Sequence, residues 1–268
     1  MSFEVRRVGI VANPSVSEGY ADRLVEVLNE RGVEVERVTK PTGESQDGGL
    51  AALDLVFVLG GDGTMLRAAR MYPGRVLVGV NLGRVGFMSG MRPEELESGV
   101  GKILAGDLNI QDYRMLEVHV GDEREPLLAV NDAVLLKERA HQIASVEVAV
   151  EGENLLSYQC DGLVAATPLG STAYALSAGG PLISGNVPCY VLVPIAPHSL
   201  VSRPLVLGGE QTVELRVTER PALLSVDGNE PLPVDVGGCV RVGLARESVR
   251  IGRTDEWSWW RAVRRTFL

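Results

Sequence analysis

Apolar residues recur at two different intervals along this chain, and the rhythm changes near residue 108. Before that point, strand-like runs alternate with stretches of helical period. The runs are VRRVGIVAN (5–13), VEVERV (33–38), LDLVFVL (53–59) and VLVGV (76–80). Between the first two, residues 18–31 place Tyr20, Leu24, Val27 and Leu28 on one helical face, and Gly32 is positioned to end the helix. A polar, Gly-containing loop is expected over 41–49. A second helix is expected over MLRAARM (65–71), and a third opens at Pro93. Strands that are largely apolar on both faces and separated by helices predict a parallel sheet covered on both sides. Residues 1–107 therefore read as an α/β domain, whose ligands would sit at the carboxyl edge of the strands.

From residue 108 the period shortens to two. MLEVHV (115–120), SVEVAV (145–150), TVELRV (212–217) and CVRVGL (239–244) alternate, with turn signals at Gly121-Asp122, Glu151-Gly152 and Asp227-Gly228. An antiparallel β-rich domain is expected over 108–245. The final stretch, TDEWSWWRAVRRTFL, holds four of the thirteen aromatic side chains, which predicts that the segment 246–268 docks on a domain or subunit. Trp257, Trp260 and Phe267 are the side chains expected on the docking face.

Composition narrows the partners. The 268 residues carry 26 basic against 35 acidic side chains, for a net charge of −9, so the chain lacks the electrostatic footprint of a nucleic-acid binder. No run approaches the roughly 18 apolar residues of a membrane span, and no signal peptide is recognised, so a cytoplasmic protein is expected. Cys160, Cys189 and Cys239 are scattered, and the three histidines form no ligand pair. A structural zinc site and a disulfide framework are not expected, and a catalytic metal would be held by oxygen.

The junction from LDLVFVL to Gly60-Gly61-Asp62-Gly63-Thr64 carries the clearest chemistry. Three glycines in four residues leave backbone N–H groups free to close on an anion at the start of a helix. A carboxylate there would repel a polyphosphate unless it holds a metal, orients a hydroxyl or anchors a ribose. This points to phosphoryl transfer, while a Gly-rich turn whose Asp merely caps a helix beginning near Thr64 would look the same. Further along, Asn131-Asp132 interrupts the apolar run 127–136 and serves either an internal turn or ligand hydroxyls. Residues 160–180 bring Asp161-Gly162, then Pro168 to Thr172, then a helix of small residues that a ligand or a packed helix could approach closely. SVDGNE (225–230) reads as a hairpin turn.

Taken jointly, GGDGT (60–64), NLGRVGF (81–87), Asn131-Asp132, CDG (160–162) with TPLGSTAY (167–174), PIAPHSL (194–200) and SVDGN (225–229) resemble the NAD kinase family in order and spacing. The resemblance spans essentially the whole chain. GGDGT is shared with diacylglycerol-type lipid kinases, and 6-phosphofructokinases have a close relative of it; NLGR-x-GF together with GSTAY is specific. The resemblance implies an N-terminal α/β domain, a C-terminal β-rich domain and transfer of the terminal phosphoryl of ATP, or in some members of polyphosphate, to the 2′-hydroxyl of the adenosine ribose of NAD. It implies Mg²⁺, a homodimer or homotetramer, and no nucleic-acid or membrane partner.

By matching motif position, Asp62 is the implied proton acceptor, and Gly60, Gly61, Gly63 and Thr64 form the phosphate-donor loop. The implied NAD contacts are Asp62, Gly63, Arg67, Phe87 near adenine, Asn131, Asp132, Asp161 from a neighbouring subunit or strand, Leu169, Thr172, Ala173, Tyr174, Ala175, Leu176, Ser177 and Asn229. Leu169 stands where Thr or Ser is frequent, Asp132 is one methylene shorter than the usual Glu, and Gln159 lies two before the Asp of CDG. A lipid kinase would need only the Asp62 turn, and a non-catalytic NAD(P) sensor would keep the binding residues alone.

Overall fold

The computed structural model describes residues 4–13, 15, 17, 19–38, 53–83, 86–121, 125–198, 202–254 and 257–267. The loop expected over 41–49, and Asp122 of one expected turn, lie outside them. The chain forms two compact units, residues 1–112 with 249–268, and residues 113–248.

In the first unit, β1 (Arg7–Ala12), α1 (Tyr20–Asn29), β2 (Glu34–Val38), β3 (Leu55–Gly60), α2 (Asp62–Met71), β4 (Val76–Asn81) and α3 (Leu96–Leu104) follow in order. The strands run parallel in the order β2-β1-β3-β4, as Val8↔Leu55 and Leu55↔Val76 illustrate. All six residues of β3 are buried, as a sheet covered on both faces requires. Leu55, Phe57 and Leu59 pack with Leu24, Val27 and Leu28 of α1 and Val100 and Ile103 of α3. Positions of opposite parity serve α2: a Cβ on Gly79 would lie 3.0 Å from Met65 Sδ. Tyr20, expected on the buried face of α1, is instead 42% exposed, and Ala21 takes its place. Gly32 ends that helix at φ 74°, where its missing Cβ removes the left-handed penalty.

The second unit comprises β5 (Asn109–Val120), β6 (Leu127–Ala129), β7 (Asp132–Lys137), β8 (Ala144–Val150), β9 (Glu153–Cys160), β10 (Gly162–Ala166), α4 (Tyr174–Ser177), β11 (Cys189–Ile195), β12 (Leu205–Gly208), β13 (Val213–Val217), β14 (Ala222–Val226) and β15 (Leu232–Val234). One antiparallel sheet has the order β12-β11-β10-β7-β14-β15. Its inner face shares a core with β5, β6, β8, β9 and β13, built from residues such as Leu135, Leu163, Leu192, Val146 and Leu215. The expected turns at Glu151-Gly152 and Asp227-Gly228 both place two residues at positive φ, 52° and 78° in one, 48° and 69° in the other. That is the handedness two-residue hairpin turns need.

The last strand, β16 (Cys239–Arg253), pairs with β13 at Val213↔Val242 and, further along, parallel to β4 at Arg250↔Val76. Because β5 and β16 are unbroken, the changes of unit fall inside strands, at 112/113 and 248/249, rather than after residues 107 and 245. Helix α5 (Trp259–Phe267) buries Trp259, Ala262 and Val263. Of the side chains expected on the docking face, Phe267 stacks on Phe87 and Trp257 lies against Arg253, while Trp260 departs. The buried stripe of the helix passes through Trp259, Ala262 and Val263, which leaves Trp260 63% exposed.

Candidate active site

The first group of candidate residues surrounds the start of α2. The helix begins at Asp62, directly after Gly61, and no side chain caps it. The Asp62 carboxylate does not turn back onto its own helix. It accepts N–H bonds from Phe87 (2.9 Å) and Met88 (3.1 Å), 25 and 26 residues downstream. The capping alternative is thereby set aside, and the GGDGT and NLGRVGF motifs become one structure. Gly86 is demanded by this contact, since a Cβ there would lie 2.0 Å from Asp62 Oδ1.

The glycines of the two motifs divide by cause. A Cβ on Gly60 would meet Thr64 Oγ1 at 2.4 Å, so Gly60 exists to let the buried Thr64 fold over it. Gly61 and Gly63 are different: a Cβ at either would meet nothing within 4 Å, and Gly61 has an ordinary extended φ of −99°. Packing of this unit does not require glycine at these two positions. Their amides sit at the end of a helix where N–H groups have no intrahelical partner and the dipole favours an anion. Arg67 lies one turn on from Gly63, half-buried on the same face.

Phe87 is placed differently from a residue open to adenine. Its ring is 5% exposed, 5.1 Å from Trp259 and stacked at 5.7 Å on Phe267. Its carbonyl accepts from Arg253 Nη2 at 2.9 Å, and the buried Arg253 guanidinium lies 3.7 Å from the Trp257 ring centre. The aromatic density of the C-terminus thus backs the loop that holds Asp62.

The second group, in the other unit, is organised by a residue that sequence reading treated only as a turn. Asp227 accepts N–H bonds from Val130 and Asn131 at 2.8 Å each and from Asp132 at 3.1 Å. These three residues are where the chain leaves β6, paired with β5, and enters β7, between β10 and β14. The polar interruption in 127–136 is therefore an internal break, and its backbone amides are all satisfied by one carboxylate. The Asp-Gly dipeptide at 227–228 was the available signal in the sequence, and in the fold Asp227 takes a positive φ of 48°.

Burial, and secondly the charge of Asp227, push the Asp132 carboxyl from 3.8 up to about 7. It is 8% exposed. The GSTAY motif closes on the same place. Thr167 Oγ1 donates to the Val130 carbonyl at 2.7 Å, its N–H donates to the Asn131 carbonyl at 2.9 Å, and a Cβ on Gly170 would lie 2.1 Å from Asn131 O. Ser171, fully buried, donates to Pro168 O and accepts from Ile183 N. Leu169 and Ala175 are buried, Thr172, Ala173 and Leu176 half-buried, Tyr174 and Ser177 exposed. Asn229 is exposed in the turn after Asp227, bonded through its backbone to Val226 and Ser225.

Asp161 is not brought to this group. Its carboxylate pairs with Lys137, and the β7–β10 register sets Ala166 opposite Asp132 and Gly162 opposite Leu136. Five residues of strand separate Asp132 from Lys137, roughly 17 Å at the usual rise. Burial raises the neighbouring Cys160 thiol to about 11, which keeps it inert as a nucleophile.

Comparisons with known proteins agree with one another. The family model described as ATP-NAD kinase N-terminal domain matches residues 36–108, and the ATP-NAD kinase C-terminal domain matches residues 130–254. The NAD kinase of Heliobacterium modesticaldum is 38% identical over 274 residues, covering 96% of each chain. That of Moorella thermoacetica is 37% identical, covering 97% of this chain and 88% of the relative. Among solved structures, yeast NADH kinase complexed with NADH superposes with a TM-score of 0.86 at 26% identity, covering 97% of this chain and 87% of that one. An NAD kinase from Archaeoglobus fulgidus in complex with ATP gives 0.82 at 27% identity, covering 97% and 99%.

Proposed function

The chain belongs to the NAD kinase family, and we propose that it transfers the terminal phosphoryl of ATP to the 2′-hydroxyl of the adenosine ribose of NAD, forming NADP. The observation that carries this reading is the start of α2, where Gly61 and Gly63 expose backbone that internal packing does not need exposed, beside a carboxylate fixed by two amides. Phosphoryl transfer asks a protein mainly for alignment and charge stabilisation. The amides of the turn and Arg67 receive phosphate oxygens, while Asp62 directs the attacking hydroxyl. A carboxylate has about four acceptor positions. The amides of Phe87 and Met88 engage two, which leaves capacity for that hydroxyl.

Among the described residues no group of three or more His, Cys, Asp or Glu side chains could hold a metal ion. Mg²⁺ commonly rides on substrate phosphates and water with one or two carboxylates. Asp62 is the residue that would contribute one. When bound, the ion neutralises phosphate charge.

NAD is held by Asn131 and Asp132, by Thr172 to Ser177, by Leu169 through its backbone and by Asn229. Asp161, about 17 Å along the strands from Asp132 within its own unit, serves a neighbouring subunit, which makes the working form a homodimer or homotetramer. Three free cysteines, two of them buried, suit the reducing cytoplasm. The deciding assay measures NADP formation with NAD and NADH as acceptors and ATP and polyphosphate as donors. ATP-dependent NADP is expected, whereas a protein that binds NAD and never forms NADP is a sensor.

A further inference from the structure

The first unit contains a cavity of about 440 Å³ for which phosphoryl transfer at the α2 turn has no use. Helix α3 and the turn leading into it present Glu95, Ser98, Gly99 and Lys102 to this cavity, and the region of α5 presents Ser258, Arg261, Ala262 and Arg265. Both sets follow the i, i+3, i+4, i+7 spacing of one helical face. Such faces ordinarily carry the apolar residues that close two helices on each other. Here no large apolar side chain occupies these positions: Ser98 and Gly99 stand in the middle of one set and Arg261 and Ala262 in the middle of the other, so the gap stays open and polar.

The charge of the lining is one-sided. Among the described residues that line it, Arg92, Lys102, Arg261 and Arg265 carry positive charge and Glu95 negative, and Glu95 also accepts the Arg92 backbone N–H at 3.0 Å. Cations gathered round a cavity raise its potential and favour an anion within it. A second observation is independent of charge. Ser89 lines the cavity, is 4% exposed, and its buried Oγ has no hydrogen-bond partner. A buried hydroxyl in that state costs stability that a ligand oxygen would restore.

We propose that this cavity binds a small polyanion carrying two or more phosphate groups, held by the four cations and by a hydrogen bond from Ser89, as a site separate from the α2 turn. Its volume lies in the range of pockets that take metabolite-sized ligands. Ser89 follows Met88, whose N–H holds Asp62, so an occupant bears on the backbone that positions that carboxylate. The binding claim goes beyond the kinase reading and does not depend on it.

An oligophosphate is common to the tail of ATP and to separate effectors, and one titration distinguishes them. Inorganic tripolyphosphate is titrated calorimetrically into the whole protein, with ATP and NAD at saturation. Binding is expected to persist. It should weaken at least tenfold in Arg261→Gln/Arg265→Gln and severalfold in Ser89→Ala, while neither variant melts below the parent without ligand. Parental affinity in both variants would overturn the proposal. So would loss of binding at saturating ATP, since the anion would then be seated where the donor binds.

Discussion

Replacing Asp132 by Asn should stabilise this protein, and by an amount that depends on pH in a defined way. Burial and the charge of Asp227 hold the Asp132 carboxyl at about 7 in the fold, against 3.8 without those influences. Below 3.8 the group is protonated in both the folded and the unfolded chain and has no differential effect. Between 3.8 and about 7 the unfolded chain releases this proton while the folded chain retains it, so stability falls as pH rises. Above about 7 both states are ionised and the loss is complete. At about 1.4 kcal/mol for each tenfold in proton affinity, the full loss is at most roughly 4 kcal/mol. Asn preserves the shape and cannot ionise. Wild-type and Asp132→Asn proteins are unfolded in urea from pH 4 to pH 8.5, and the difference in stability is plotted against pH. It should start near zero and climb to about 2–4 kcal/mol in favour of the variant, levelling off past pH 7.5. A difference that stays flat with pH, or that favours the parent at pH 8, refutes the reasoning. A carboxylate retained at such a cost is expected to be needed by the ligand, so the same variant should bind NAD more weakly.

Asp62→Asn removes the charge and keeps an acceptor, so kcat should fall by about 10²–10⁴-fold with NAD affinity by calorimetry much less changed; near-normal kcat with lost NAD affinity would recast Asp62 as a ribose anchor. Gly86→Ala sets a Cβ on the Asp62 carboxylate and should reproduce that loss of kcat, whereas Gly63→Ala meets only open space and should raise the KM for ATP while leaving the melting temperature unchanged. Asn131→Ala with Asp132→Ala should raise the KM for NAD far more than that for ATP; equal effects with a large loss of stability would make the pair structural. Deleting residues 254–268 uncovers Phe87 and should lower the melting temperature or change the sedimentation behaviour, and a truncated protein that keeps both refutes a structural role for the segment.

What was legible in the sequence, and what was not, follows from the range of the forces involved. Periodicity reports which faces are buried, so the parallel α/β series, the antiparallel segments and the two primed turns could be read from local pattern alone. The glycines of GGDGT could be seen but not sorted. Only the fold shows that Gly60 makes room for Thr64 while Gly61 and Gly63 make room for nothing inside the protein, and that distinction turns a flexible turn into a candidate phosphate seat. Contacts across long sequence separations left no local trace. Asp62 reaches 25 residues to Phe87, and Asp227 reaches 97 residues back to Val130. In both cases a carboxylate binds successive backbone amides, an interaction indifferent to the side chains of the residues that donate. The partner's identity therefore carries no signal. What betrays the contact is a glycine beside one of its ends, as at Gly86 and at Gly228. An aspartate next to a glycine is thus a reason to look for a distant pair of amides, and Asp161-Gly162 shows the limit of that rule. There Gly162 is demanded by the Leu135 carbonyl, 2.4 Å from where its Cβ would be, and Asp161 spends its charge on Lys137 instead.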